Sequence, residues 1–217
     1  NNDRDAISEL TTGRLSVYLR CLTFLESQGI KTVSSHHLAE RFHLNSAQIR
    51  KDLACFGEFG TRGVGYDVSR LKSQLVETLG IDRTRNVIIV GAGNLGMALA
   101  DYAGFNSNGF HLVAILDSDP AKIDRSSRSG IPILHWDRVA EIVRRNHVDI
   151  GIIAVPADGA QAVHDILADT GIHAILNFAP MQIKLRPDVK VRSVDLRINL
   201  ESLSFHLKNA EDGVSMG

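Results

Sequence analysis

The residues best placed to do chemistry form a glycine cluster, Gly91-Ala92-Gly93-Asn94-Leu95-Gly96. It directly follows the apolar run Val87-Ile88-Ile89-Val90 and opens an alanine- and leucine-rich segment. A Gly-x-Gly-x-x-Gly turn between strand and helix suits a pyrophosphate. Its first glycine permits the tight turn, its second lets the backbone approach the phosphates, and its third lets the helix pack on the strand. The helix start then offers free N–H groups and partial positive charge to the anion. A second candidate strand, Phe110 to Leu116, ends in Asp117, 21 residues beyond Gly96. A carboxylate there accepts hydrogen bonds from an adenosine ribose and repels a 2′-phosphate, which favours NAD(H) over NADP(H). A glycine-rich turn with an unrelated surface acid is the plainer alternative, but it leaves the register of strand, turn, helix and acid unexplained. Asp117 asks only for a free ribose hydroxyl, so another adenine nucleotide is the alternative ligand.

Two further loops fall where later strands should end, Ala154-Val155-Pro156-Ala157 and Asn177-Phe178-Ala179-Pro180. In doubly wound sheets ligands bind outside the carboxyl ends of the strands, so these loops are candidate walls for the nicotinamide half. Pro156 and Pro180 are equally explained as strand terminators.

A different chemistry resides in Ser46-Ala47-Gln48-Ile49-Arg50-Lys51-Asp52-Leu53. Ile49 and Leu53 lie four apart and face a core, leaving Gln48, Arg50 and Lys51 for another face. Gln and Arg match adenine and guanine edges in a major groove, while Lys serves phosphate. Downstream, Gly57 to Tyr66 carries four glycines within nine residues, a hairpin or wing with Arg62 at its tip beside Thr61, Gly63 and Gly65. A wing arginine suits a narrow minor groove. A small helical bundle with a solvated charged face is the competing reading of this half.

The elements that must position these groups change character near residue 80. Before it, Leu15, Leu19 and Leu22 stripe a first helix stopped at Gly29, and Ser34 or Ser35 caps a second carrying Leu38, Ala39 and Phe42. Asn45, followed three residues on by Gln48, resembles a capping box, and Leu71, Leu75 and Leu79 stripe a further helix stopped at Gly80. Residues 81–86 form a polar connector. Beyond it, candidate strands at 87–90, 112–116, 150–155, 173–177 and 189–194 alternate with helices near 94–105, 137–146 and 158–170. That rhythm specifies an α/β fold with an open, mostly parallel sheet. The expected organisation is a winged-helix DNA-binding domain over 1–80, a Rossmann domain over 81–195 and a terminal helix with its tail over 196–217.

The 217 residues balance 24 Lys and Arg against 25 Asp and Glu, which argues against wholesale coating by nucleic acid. Residues 31–72 nevertheless hold seven basic residues against four acidic ones, a mild local excess. With only two cysteines, Cys21 and Cys55, and no CxxC, the expectation is a reduced compartment with buried, structural thiols. No apolar run is long enough to span a bilayer, and the polar start Asn1 to Asp5 lacks the apolar core of a signal peptide. The first residue is not Met, so an upstream segment is expected to have been removed. The expected location is cytoplasmic.

Taken together, Gln48 to Leu53, Phe59 to Tyr66, Val90 to Gly96, Ala154 to Ala157, Asn177 to Pro180 and Leu203-Ser204-Phe205 resemble the Rex family of redox-sensing transcriptional repressors, in the family's order over about residues 14–208. The resemblance implies a winged helix fused to a Rossmann domain and closed by a C-terminal helix exchanged within a homodimer. It implies repression of fermentative and respiratory genes through an inverted-repeat operator, released by NADH and permitted by NAD⁺. It also implies a polar contact set formed by Arg20, Tyr102 and Asp195. Two departures stand out. The family's usual Lys-Ile-Gly is Lys122-Ile123-Asp124 here, followed by a polar stretch to Ser129. Leu196 stands where some members carry an aromatic residue, so no gating role transfers to it.

The terminal helix carries Leu196, Leu200, Leu203 and Leu207 as one seam, with Ile198 and Phe205 on other faces. A helix apolar nearly all round must be buried on several sides. Packing on its own domain is one solution. Insertion into a partner subunit, with Leu200, Leu203, Phe205 and Leu207 in the contact, accounts better for the extra faces. A dimer would then present two winged helices to major grooves about 34–36 Å apart, a spacing that a ligand-driven rotation would spoil. The rival class, an NAD-dependent oxidoreductase, needs a general acid or base and a substrate domain. Only forty residues follow Asn177, the nine histidines are scattered, and no metal-ligand spacing is legible.

Overall fold

The first helix forms because Leu15, Tyr18, Leu22 and Leu25 recur at helical spacing and all four are buried. This computed structural model describes residues 9–57, 59–61, 63–105 and 109–214. Helix α1 spans Glu9–Ser27, and Gly29 at φ +73° turns the chain after it. Strand β1 (Thr32–Val33) leads to α2 (Ser35–Phe42), whose cap is Ser34: its hydroxyl accepts from the His37 N–H at 3.0 Å. His43 ends α2 in the left-handed conformation, φ 54°. Asn45 then caps α3 (Ser46–Ala54), its side chain accepting from the Gln48 N–H at 2.9 Å. Only half of a capping box is therefore made, because the Gln48 side chain goes elsewhere.

Strands β2 (Gly60–Thr61) and β3 (Gly65–Asp67) form the wing with β1, antiparallel in the order β1-β3-β2. Gly65 is obligatory there. It stands at φ +100°, and a Cβ would meet the Val33 carbonyl oxygen at 2.6 Å. Helix α4 (Val68–Thr78), capped by Asp67, adds Leu71 and Leu75 to a core shared with α1, α2 and α3.

A second unit begins after Arg83 and has cores of its own on the two faces of its sheet. Strand β4 (Arg85–Val90) is central, β5 (Phe110–Asp117) and β6 (Ile133–His135) lie to one side, and β7 (Val148–Ile153), β8 (Ala174–Asn177) and β9 (Lys190–Ser193) lie to the other. All pair in parallel, in the order β6-β5-β4-β7-β8-β9. The direction of winding reverses between β4 and β7, so a crevice opens at their carboxyl ends. Helices α5 (Asn94–Ala100), α6 (Val139–Asn146) and α7 (Ala157–Asp169) flank the sheet, and α8 (Leu196–Val214) follows it.

Strands β1 and β6 are not expected from the sequence, because two or three residues carry no periodicity. The helix expected over 94–105 stops at Ala100, with a separate 3₁₀ turn at Ala103–Phe105. There a Cβ on Gly104 would overlap the Tyr102 ring. The stretch after Ile123 folds as a small hairpin: the Asp124 N–H donates to the Ile133 carbonyl, the Ile133 N–H to the Arg125 carbonyl, and the Ser127 N–H to the Ile131 carbonyl. Asp124, where the family usually has glycine, takes the left-handed conformation at φ 61°.

Candidate nucleotide and nucleic-acid sites

The glycine turn sits at the β4–β7 crevice. Gly91 has φ +108°, and a Cβ there would meet the Ala154 carbonyl oxygen at 2.5 Å. A Cβ on Gly96 would overlap the Gly91 carbonyl, so close approach of α5 to β4 excludes any side chain. A Cβ on Gly93 would meet nothing within 4 Å. The first and third glycines therefore serve the fold, and the second faces open space where a ligand can approach.

A cleft of about 410 Å³ opens beside this turn. It is lined by Gly91 and Gly93, by Asp117 and Lys122, by Trp136, and by Ala154, Val155 and Pro156. Asp117 carries a role the sequence did not disclose. Its Oδ2 accepts from the Ala92 N–H at 2.7 Å and from Lys122 Nζ at 3.1 Å, and its Oδ1 accepts from the Asp119 N–H at 2.8 Å. Burial opposes its ionisation, but the N–H groups of Asp119 and Ala92 and the Lys122 ammonium outweigh that and hold its carboxyl below the usual range. Asp117 thus clasps the glycine turn to the end of β5. Asp117 and Lys122 are the Asp and Lys side chains among the lining residues, and they bond one another.

The second loop behaves differently. Asn177 is fully buried, donating to the carbonyls of Ala179 and Met181 and to Ser193 Oγ, and accepting from the Ala179 N–H at 2.9 Å. It brackets its own loop. Asn177, Phe178, Ala179 and Pro180 do not line the cleft, and Ala157 is the first residue of α7 rather than part of the wall.

In the first unit, Ser46 opens α3, and Arg50 and Lys51 are exposed on it. Arg50 Nη1 donates to Ser35 Oγ at 3.0 Å, which ties its guanidinium to the start of α2. Thr61, Gly63 and Gly65 border the same hollow as Arg50. Arg62 lies outside the described residues. Cys55 corrects an expectation: it is exposed, one residue beyond α3, with its thiol donating to the Lys51 carbonyl, whereas Cys21 is buried. The core-facing stripe of α3 ends at Leu53, so the next turn points outward.

In the sequence Asp52 is one acid among several. It is 2 % exposed, and each carboxylate oxygen accepts two hydrogen bonds. Oδ2 accepts from Arg14 Nε at 2.6 Å and Tyr18 OH at 2.8 Å; Oδ1 accepts from Arg14 Nη2 and Gln48 Nε2, both at 2.7 Å. The signal was present in the sequence. An acid beside the Ile49/Leu53 stripe needs partners, and Arg14 and Tyr18 stand four apart on the helix it faces. Burial raises the cost of ionising Asp52, and the bonds from Arg14, Tyr18 and Gln48 overcome it, so its carboxyl sits below the ordinary range. Burial and Asp52 together push the Tyr18 hydroxyl up.

Because the folded value lies below the unfolded one, this stabilisation is complete above the ordinary carboxylate range. It is lost as pH falls through the folded value. Asp52→Asn is expected to cost about 2–3 kcal/mol at neutral pH, toward the low side for a broken buried pair because Arg14 is 35 % exposed. It should also remove part of the acid-induced loss, both read from urea melts at neutral and acidic pH. An equal acid dependence in both proteins would show that Asp52 is not the group responsible.

Arg20 and Tyr102 are exposed, and Arg20 Nε donates to the Ser16 carbonyl at 3.4 Å. Asp195 caps α8, its Oδ1 accepting from the Arg197 N–H at 2.9 Å. On α8, Leu196, Ile198, Leu200, Leu203, Phe205 and Leu207 are each 60–66 % exposed. No helix among the described residues is long and apolar enough to cross a membrane, and none of their His, Cys, Asp and Glu side chains cluster as a metal site.

Residues 6–54 match the family model for a putative DNA-binding protein N-terminus, and residues 82–181 match that for a CoA binding domain. The chain is 47 % identical over 201 residues to a redox-sensing transcriptional repressor Rex of Desulfitobacterium hafniense, covering 93 % of this chain and 95 % of that one. It is 50 % identical over 202 residues to the Rex of Carboxydothermus hydrogenoformans, covering 93 % and 97 %. Among solved structures, RSP in complex with β-NAD⁺ and operator DNA superposes with a TM-score of 0.90 at 38 % identity, over 97 % of this chain and 96 % of that one. RSP in complex with β-NADH superposes at 0.85 with 36 % identity, over 98 % and 99 %. Near-complete coverage at this identity, across both the DNA-binding half and the nucleotide-binding half, sets the oxidoreductase alternative aside: the chain belongs to the Rex family of redox-sensing transcriptional repressors.

Proposed function

We propose that this protein is a cytoplasmic homodimer that holds an inverted-repeat operator through α3 and the wing, and that NADH releases it while NAD⁺ permits binding. The observation that carries the reading is the cleft at the β4–β7 crevice, built on a turn whose second glycine faces open space, in a chain that also carries a capped helix-turn-helix with a wing. The relative RSP, crystallised with β-NAD⁺ and operator DNA and separately with β-NADH, supports the same pairing of ligands. Lys51 serves phosphate, Gln48 and Arg50 serve base edges, and Arg62 serves the minor groove.

Val155 and Pro156 wall the cleft beyond the phosphate turn, and Asp117 with Lys122 meets the adenosine ribose. The exposed apolar faces of α8 support its burial in a second copy. A ligand moves such an equilibrium only by its differential affinity for the two states. NADH therefore binds the released dimer more tightly than the operator-bound one, and NAD⁺ does not.

The test follows the fluorescence anisotropy of a labelled inverted-repeat duplex at fixed salt, since phosphate contacts make affinity salt-dependent. NADH is expected to release the duplex, and NAD⁺ to leave it bound and to protect against NADH. Failure of NADH to release a duplex that the protein binds would overturn the reading. The single tryptophan, Trp136, lines the cleft and gives an independent measurement. NADH should quench its emission over the same concentration range in which it releases the duplex. Tryptophan emission that stays unchanged while NADH releases the duplex would place the nucleotide elsewhere.

A further inference from the structure

Gln48 does not project freely from α3. Its Nε2 donates to Asp52 Oδ1 at 2.7 Å, one turn along the helix. An amide side chain has two interchangeable-looking ends, one donating and one accepting, and a solvated glutamine samples both orientations. A carboxylate only accepts. Beside Asp52 the amide must therefore place its NH₂ end toward the carboxylate, which fixes where Oε1 stands. Asp52 itself cannot turn, because Arg14 grips both of its oxygens and Tyr18 OH donates to Oδ2 at 2.8 Å. One Nε2 proton is committed to Asp52. The second proton and Oε1 remain, the donor and acceptor that an adenine edge requires for N7 and the 6-amino group.

We propose that Asp52, locked to α1 by Arg14 and Tyr18, is a positioning residue that sets the orientation of the Gln48 amide and so determines base specificity at one position of each operator half-site. The inference rests on Gln48 reading a base. A buried residue with no route to DNA then contributes to sequence choice by removing the wrong orientation of its neighbour, which saves the ordering cost when the base arrives.

The test uses the full chain and a pool of duplexes carrying an inverted repeat with randomised half-sites, sequenced after selection. The position read by Gln48 is the one whose preference Gln48→Ala removes. Asp52→Asn is expected to lower the adenine preference there by about tenfold or more, the discrimination of one bidentate contact, and to leave the other positions unchanged. Tyr18→Phe removes a different donor to the same carboxylate and should keep the preference while losing stability. Should Asp52→Asn prove unfolded by circular dichroism, Arg14→Leu with Asp52→Asn removes the charge pair as a unit, which proteins tolerate better than an orphaned partner. If Gln48→Ala erases the preference and the Asp52 variant keeps it, Asp52 is structural only and the proposal fails. A uniform weakening of every position by the Asp52 variant also overturns it. If Gln48→Ala changes no position, the base-reading role of Gln48 fails first.

Discussion

Gly93→Ala is expected to yield a protein that folds, binds its operator and no longer lets go of it in NADH. Gly93 sits at φ −82° and ψ −175°, a conformation that any L-residue adopts, and a Cβ there meets nothing within 4 Å. The stability change should therefore stay within about 0.5 kcal/mol. The added methyl instead occupies the space through which a pyrophosphate must reach the backbone, and NADH affinity should fall by at least about tenfold, or about 1.4 kcal/mol. Since the ligand acts only through its preference for the released state, a protein that cannot hold NADH stays on its operator. Gly91→Ala and Gly96→Ala should behave differently, because their new carbons meet the carbonyls of Ala154 and Gly91 and the turn itself would have to move. Melting curves and the anisotropy assay separate the two classes. A Gly93→Ala protein that NADH still releases would show that the phosphates do not lie over this turn.

The second large effect concerns α8. Its six exposed apolar side chains each gain about 1.5–3 kcal/mol on full burial. The helix as a whole is thus worth on the order of 10 kcal/mol, twice over in a mutual exchange, which exceeds many estimates of the cost of association. Introducing Leu200→Asp together with Leu207→Asp places two charges on that seam. Sedimentation should then give the mass of one chain. Operator affinity should drop by about 10²- to 10⁴-fold, because two half-sites are no longer engaged through one linked body. A dimer that survives both charges would move the subunit contact to another surface.

Much of the fold is legible in the sequence. The place of the glycine turn after β4 and of Asp117 at the end of β5 can be read because strand, turn, helix and acid are local and ordered along the chain. Ser34 and Asn45 were readable as caps because a cap acts within three residues of itself. What escaped depends on pairings between distant segments. Asp52 lies beside the Ile49/Leu53 stripe, but its partner Arg14 is 38 residues away, so the pairing itself is not legible locally. The structural part played by Asn177, whose amide satisfies the carbonyls of its own loop, depends on a loop conformation that residue types alone do not specify. Strand β6 carries too few residues for a period to show, and its place is set by pairing with β5. Cys55 was expected in the core and lies outside it because α3 ends one residue earlier.

The clasp made by Asp117 has a consequence for how the ligand is held. One carboxylate oxygen already serves the Ala92 N–H, inside the turn proposed to meet the pyrophosphate, while the same side chain is the one proposed to meet an adenosine sugar. The two ends of that half of the ligand are therefore not felt independently. A sugar hydroxyl that drew on Asp117 would pull on the turn, and a phosphate that tightened the turn would reorient the acid for the sugar. Grip on a dinucleotide would then be a chelate in which each contact prepares the other, and the separate fragments, adenosine alone or phosphate alone, would each recover less than its share of the whole.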